Sequence, residues 1–207
     1  MTIKRPPQAL LFDLGGVLVD IDFSRVLKVW SAYSSLSVEE LKTRFGFDLQ
    51  YHRHERGEIN ATEYFDYLAS ILDLNASREQ IVAGWNAIFI AEFAETSAVV
   101  QMMRAHLPCY ALTNTNAVHM DTLSILFPNV VRSFDRIFAS HEMGLRKPER
   151  AVFEQISQSI GIEAGSILFF DDLLENIEAA SEAGLQVVHV RSPKDVRDSL
   201  QRLGYVL

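Results

Sequence analysis

Polar and apolar positions along this chain follow two different rhythms. From about residue 96 onward, short apolar runs at 109–113, 137–139, 167–171 and 187–190 alternate with stretches of helical period. Such alternation predicts parallel strands joined by right-handed helical crossovers. The run Ala9-Leu10-Leu11-Phe12, which has no helical period and is stopped by Gly15-Gly16, reads as one more buried parallel strand. Gly161 and Gly184 each follow a periodic run and are expected to stop a helix.

Residues 21–93 read as helix throughout. Three capping boxes mark helix starts there, Ser37 with Glu40, Asn60 with Glu63 and Ser77 with Gln80. The second opens a helix with Tyr64, Phe65, Leu68 and Leu72 on one face, and an earlier helix aligns Val26, Leu27, Trp30 and Tyr33. No strand pattern interrupts this stretch. The expected fold class is therefore α/β: a Rossmann-like parallel sheet core from residues 1–20 and 94–207, with a small helical domain inserted at 21–93.

Composition narrows the partners. The chain has 207 residues, 48% of them hydrophobic, enough for one α/β core and a smaller unit. A formal net charge of -8 argues against binding nucleic acid, whose phosphate backbone requires clustered Lys and Arg. Cys109 is the only cysteine and sits in an apolar run, so no internal disulfide forms and a buried thiol in a reducing, cytoplasmic setting is expected. The segment Met1-Thr2-Ile3-Lys4-Arg5-Pro6-Pro7 lacks the apolar core of a secretory leader, and no segment is apolar enough to span a bilayer. A soluble monomer or homodimer without membrane partners is the expectation.

Candidate chemistry lies at the strand ends. Asp13 follows the first apolar run, at the C-terminal edge of the sheet where α/β folds bind ligands, and the glycines after it free backbone N–H groups to face an anion. The plainer reading of Asp13 is a turn cap. Leu112-Thr113-Asn114-Thr115-Asn116 puts hydroxyls and amides at another strand end, where they can hold a phosphoryl oxygen or simply form a turn. Pro148 is expected at the first position of a helix whose buried face holds Val152, Phe153, Ile156 and Ile160, which fixes Lys147 at its entrance. The Lys147 ammonium can neutralise a carboxylate and a phosphate together. Ile167-Leu168-Phe169-Phe170-Asp171-Asp172, with Asn176 beyond, ends four large apolar residues on two carboxylates, and unpaired buried charge costs several kcal/mol. With Asp13 that makes three acids at one edge, a hard oxygen set suited to Mg2+.

In order, Phe12-Asp13-Leu14-Gly15-Gly16-Val17-Leu18, Leu112-Thr113-Asn114, Lys147-Pro148 and Phe170-Asp171-Asp172 with Asn176 resemble the four motifs of the haloacid dehalogenase superfamily. The helical insert corresponds in position to the small cap domain of one branch. Val19-Asp20-Ile21-Asp22-Phe23-Ser24-Arg25-Val26-Leu27, His52-Arg53-His54-Glu55-Arg56-Gly57-Glu58-Ile59 and Thr113-Asn114-Thr115-Asn116 further resemble bacterial phosphatases acting on α-D-glucose 1-phosphate. The resemblance implies a phosphoric monoester hydrolase in which Asp13 attacks phosphorus to form an aspartyl-phosphate. It implies that Thr113 and Lys147 hold the phosphoryl oxygens, with Asn114 and Asn116 beside the substrate. Mg2+ would be held by Asp13, the Gly15 carbonyl and Asp172, with Asp171 and Asn176 in support. His52, His54, Glu55 and Arg56 are the cap residues expected to reach toward a sugar, or to form a wet helix face.

One position departs from the superfamily pattern. Its phosphatases commonly carry a second aspartate two residues after the nucleophile as general acid and base, and here that position is Gly15. General acid catalysis contributes about 10²–10⁴-fold, so a good leaving group is called for. The anomeric hydroxyl of a sugar 1-phosphate is more acidic than an ordinary alcohol and meets that need. Two other readings stay open: a metal-independent 2-haloacid dehalogenase, which the acidic pair Asp171-Asp172 disfavours, and a non-catalytic phosphate-sensing or protein-binding module on the same scaffold.

Overall fold

A computed structural model of the protein describes residues 5–206. Residues 1–4, part of the segment read above as lacking a leader, lie outside the described residues, as does residue 207. Strand β1 (Ala9–Phe12) leads through a tight turn to β2 (Val19–Ile21). Five helices follow, α1 (Phe23–Trp30), α2 (Val38–Arg44), α3 (Leu49–Glu55), α4 (Ala61–Ile71) and α5 (Arg78–Asn86), and then β3 (Phe89–Glu92). The remainder runs α6 (Ala94–Met103), β4 (Cys109–Thr113), α7 (Ala117–Leu126), α8 (Pro128–Arg132), β5 (Arg136–Ala139), α9 (Ser140–Met143) and α10 (Arg150–Ile160). It ends with β6 (Ile167–Asp171), α11 (Leu174–Glu182), β7 (Gln186–His189) and α12 (Pro193–Arg202).

Five parallel strands form one sheet in the order β5-β4-β1-β6-β7. The side chains alternate between its two faces. Leu10 and Phe12 join Val99, Met103, Phe170 and Leu200 on one side, whereas Leu11 joins Leu112, Phe153, Ile156 and Phe169 on the other. Both faces are covered by helices, which is why the strands read as unbroken apolar runs. Because β4 and β6 flank β1 on opposite sides, the chain reverses direction of winding at β1, and the crevice of such a sheet opens at that point.

The inserted helices bury a core of their own around Val26, Trp30, Tyr64, Phe65, Leu68 and Trp85. All three capping boxes form, at α2, α4 and α5. Gly161 and Gly184, at φ of +70° and +95°, end α10 and α11 in the left-handed region that glycine tolerates.

Two expectations are corrected. Residues 21–93 are not helical throughout: β2 and β3 pair antiparallel as a two-stranded ribbon at the root of the insert. Each is too short to display an alternation, and each becomes a strand only by meeting the other. Pro148 does not begin a helix either, since α10 starts two residues later at Arg150. The chain turns instead at Lys147 and Pro148, closed by a hydrogen bond from Glu149 N to the Arg146 carbonyl at 2.9 Å. No helix among the described residues is long and apolar enough to cross a membrane.

Candidate active site

Three strand ends and one loop converge at the crevice. The Asp13 amide donates to the Phe170 carbonyl at 2.8 Å, which carries the β1–β6 pairing one residue past the strand and holds Asp13 at the sheet edge. The Lys147 ammonium lies 2.9 Å from Asp13 Oδ2 and 2.7 Å from Asp171 Oδ2, almost fully buried between them. Asp171 also accepts from Asn176 Nδ2, at 3.0 and 3.1 Å, and from the Leu173 amide at 2.8 Å. Its charge is thus well satisfied. Asp172 has no basic partner among the described residues, yet carboxylate oxygens of Asp13, Asp171 and Asp172 lie within 4.8 Å of one another.

Three carboxylates face one ammonium, and their electrostatics show the imbalance. Burial pushes the Asp13 carboxyl up to about 8; Lys147 opposes that rise, and the charges of Asp171 and Asp172 add to it. Burial and then Asp171 raise Asp172 as well. Burial disfavours the Lys147 cation, but Asp13 and Asp171 outweigh it and hold its pKa above the ordinary lysine value. A site short of positive charge, offering hard oxygen donors in a crevice, fits a divalent cation. Gly16 makes the cradle: its φ is +73°, and a Cβ there would lie 2.3 Å from Asp172 Oδ2. Any side chain at residue 16 would expel Asp172.

The loop bearing Lys147 is fixed by Asn114, which donates from Nδ2 to the Lys147 carbonyl at 2.9 Å and accepts from its amide at 2.8 Å. This clasp supplies the positioning that the sequence assigned to a proline at the helix start. Asn116 caps α7, its Oδ1 accepting from His119 N at 3.0 Å and from Trp85 Nε1 at 3.4 Å. Asn114 and Asn116 both line the cavity, but their amide groups are engaged in holding the protein; Thr113 ends β4 beside them, on the same cavity.

That cavity has a volume of about 570 Å³ and lies between the sheet edge and the inserted helices. Of the residues expected to reach a substrate from the insert, His52 and Glu55 line it. His54 does not: it is buried, stacked on Tyr64 with ring centroids 4.4 Å apart, and burial pushes its pKa down to about 4. Arg56 pairs with Glu149, Nε donating to Oε1 at 2.9 Å, on the seam between insert and core. Ile21, Tyr51 and Arg146 also line the cavity. None of the three stands out in the sequence, because each faces the cavity only through the docking of the insert on the core. Ile21 packs against the position of the departure at Gly15. A Cβ on Gly15 would lie 2.8 Å from Ile21 Cδ1, so any side chain at residue 15 would need that side-chain tip to move.

The profile of a hydrolase family described as haloacid dehalogenase-like hydrolase matches residues 7–184. Phosphatase MT3486 of Mycobacterium tuberculosis is 26% identical over 200 residues, covering 94% of this chain and 92% of its own. D-ribitol-5-phosphate phosphatase of Bacteroides thetaiotaomicron is 24% identical over 202 residues, 92% of this chain and 95% of its own. A HAD family enzyme from the same Bacteroides species, crystallised with magnesium and inorganic phosphate, superposes with a TM-score of 0.79 at 27% identity, over 87% of this chain and 92% of that one.

Proposed function

The chain belongs to the haloacid dehalogenase-like hydrolases, and from that membership we propose an Mg2+-dependent phosphatase acting on a small phosphate monoester, with α-D-glucose 1-phosphate as the model substrate. The observation that carries the proposal is the excess of carboxylate charge from Asp13, Asp171 and Asp172 around Lys147, at the edge of the cavity. The similar Bacteroides enzyme crystallised with magnesium and phosphate supports it.

In this proposal Asp13 attacks phosphorus in line with the ester bond. An Asp13 oxygen–phosphorus bond forms as the ester P–O bond breaks, and water then displaces the aspartate to release inorganic phosphate. Lys147 and the Thr113 hydroxyl hold the phosphoryl oxygens, and Asn114 keeps Lys147 in place. Asp13, Asp172 and the Gly15 carbonyl would hold Mg2+, with Asp171 and Asn176 behind them. When bound, the ion supplies charge neutralisation between carboxylates and phosphate. Lys147, already paired with Asp13, keeps the nucleophile oriented toward the phosphate.

A sugar 1-phosphate suits a site with glycine at residue 15, where a general acid would stand. Its ring oxygen stabilises the departing alkoxide, so less protonation is needed. Phosphate release from glucose 1-phosphate and glucose 6-phosphate, each with Mg2+ and with chelator, tests the proposal. Chelator-sensitive release, faster for the 1-phosphate, is expected; equal chemical rates would remove the leaving-group argument. Carbon–halogen hydrolysis is the poorer reading, because a 2-haloacid anion would enter a pocket already overloaded with negative charge. Halide release that persists in chelator would restore it.

A further inference from the structure

Two groups of polar side chains stand out on the cavity. One is the sheet-edge set around Asp13. The other lies where the insert meets the core: Tyr51, His52 and Glu55 from α3, and Arg146 from the core loop. Arg146 Nε donates to Glu55 Oε2 at 2.8 Å, with the two side chains 16% and 4% exposed. We propose that the Glu55–Arg146 pair is the specificity-determining subsite that reads the hydroxyls of a polyol leaving group.

Among the described residues, the hydrogen bonds of Arg146 run through Nε alone, so both terminal amino groups remain to donate. Glu55, which is also hydrogen-bonded by the Tyr51 side chain, contributes the remaining acceptor capacity of its carboxylate on the same wall. Donors and acceptors side by side match adjacent hydroxyl groups, each of which both donates and accepts. Apolar neighbours on the cavity, among them Ile21, Phe23 and Phe47, suit the C–H faces of a sugar. Distance from the phosphate is also fixed. Arg146 directly precedes Lys147, whose main chain Asn114 clasps on both sides, so the guanidinium keeps a constant offset from the phosphoryl site. A hydrocarbon leaving group would strip water from those free donors without replacing it, which opposes binding.

The pair is assembled from two parts of the molecule, Glu55 from the insert and Arg146 from the core. Leaving-group recognition therefore exists only while the insert is seated. The inference rests on the sugar-phosphate reading above and names the residues that would enforce it.

The test compares glucose 1-phosphate, ribitol 5-phosphate and butyl phosphate as substrates for the wild type, Glu55→Gln and Arg146→Met, with thermal unfolding measured in parallel. Losing hydrogen bonds to a charged group predicts a fall in kcat/KM that is about 10- to 100-fold larger for the polyol esters than for butyl phosphate, expressed mainly in KM. Arg146→Met leaves a buried glutamate unpaired; should it fail to fold, the double variant Glu55→Gln/Arg146→Met reads the same ratio. Equal losses on all three esters would overturn the inference and reduce the pair to a structural tie. So would a wild type that prefers butyl phosphate to both polyol esters, although the phosphatase reading would survive that result. Absence of phosphate release from every ester would overturn both.

Discussion

At the residue scale, the proposed mechanism turns on Asp13 and Gly15. Asp13 is expected to be irreplaceable: Asp13→Asn keeps the fold, since the amide can still accept from Lys147, but lowers phosphate release by roughly 10³-fold or more. Phosphate assay and thermal unfolding of the same sample check this, and a variant with near-normal turnover would remove Asp13 from the nucleophile's place. Gly15 predicts a rescue experiment. Gly15→Asp alone must push Ile21 aside and should lose activity through crowding, whereas Gly15→Asp/Ile21→Ala makes room for a proton donor. The double variant is expected to raise the rate on glucose 6-phosphate relative to glucose 1-phosphate, up to about the 10²-fold scale of general acid catalysis. An unchanged ratio would show that the missing acid does not choose the substrate. The acids themselves were legible in the sequence because a carboxylate after an apolar run is costly unless something answers it. Ile21 was not legible, since nothing local marks an isoleucine that will cover a glycine six residues earlier.

At the scale of elements, the seam between α3 and the loop around Lys147 is the point where small changes should be felt. Gly57 has a φ of +67°, and a Cβ there would lie 2.3 Å from the His141 carbonyl oxygen. Gly57→Ala is therefore expected to lift the insert from the core, costing about 1–3 kcal/mol in stability and lowering kcat/KM for glucose 1-phosphate. Denaturant unfolding with parallel kinetics measures both, and a fully active, fully stable variant would show the contact to be yielding. Two buried histidines, His54 on α3 and His119 on α7, are expected to respond to acid. Burial holds His54 at about 4 and His119 at about 3, below the ordinary histidine value near 6.5, so the folded protein binds fewer protons than the unfolded chain. Their contribution is complete above pH 6.5 and is lost as pH falls toward 4 and then 3. Stability should drop by a few kcal/mol between pH 7 and pH 4.5, and by less in His54→Phe; an identical drop in that variant would locate the acid sensitivity elsewhere. The starts of α2, α4 and α5 were predictable residue by residue, because a capping box is a local hydrogen-bond exchange. The β2–β3 ribbon was not, because its hydrogen bonds join residues some seventy positions apart.

At the scale of the whole molecule, ion binding and folding are linked. On the proposed site, Mg2+ would bind the native arrangement of Asp13 and Asp172 and not the unfolded chain, so it should raise the unfolding midpoint, by about 2.7 kcal/mol of stability at a hundredfold excess over Kd. Asp172→Asn is expected to blunt that rise; a midpoint indifferent to Mg2+ in the native protein would count against the metal site. Trp85 ties the two units into one body. It stacks on Trp30 within the insert and on His119 of the core, with ring centroids 6.1 and 4.6 Å apart.

What the sequence by itself determined was everything written in short-range physics. Apolar runs specified the parallel strands, capping boxes specified three of the helix starts, and carboxylates stranded at apolar run ends announced a charged site. Only the tertiary structure decided how those pieces meet: that Lys147 stands between Asp13 and Asp171 and is held there by Asn114, that Ile21 closes the space above Gly15, and that Glu55 and Arg146 join across the seam. The physical reason is range. Hydrogen-bond capping and strand burial depend on neighbours a few residues away, whereas the cavity is made by surfaces far apart in the chain, and its lining is fixed only when two separately packed cores dock.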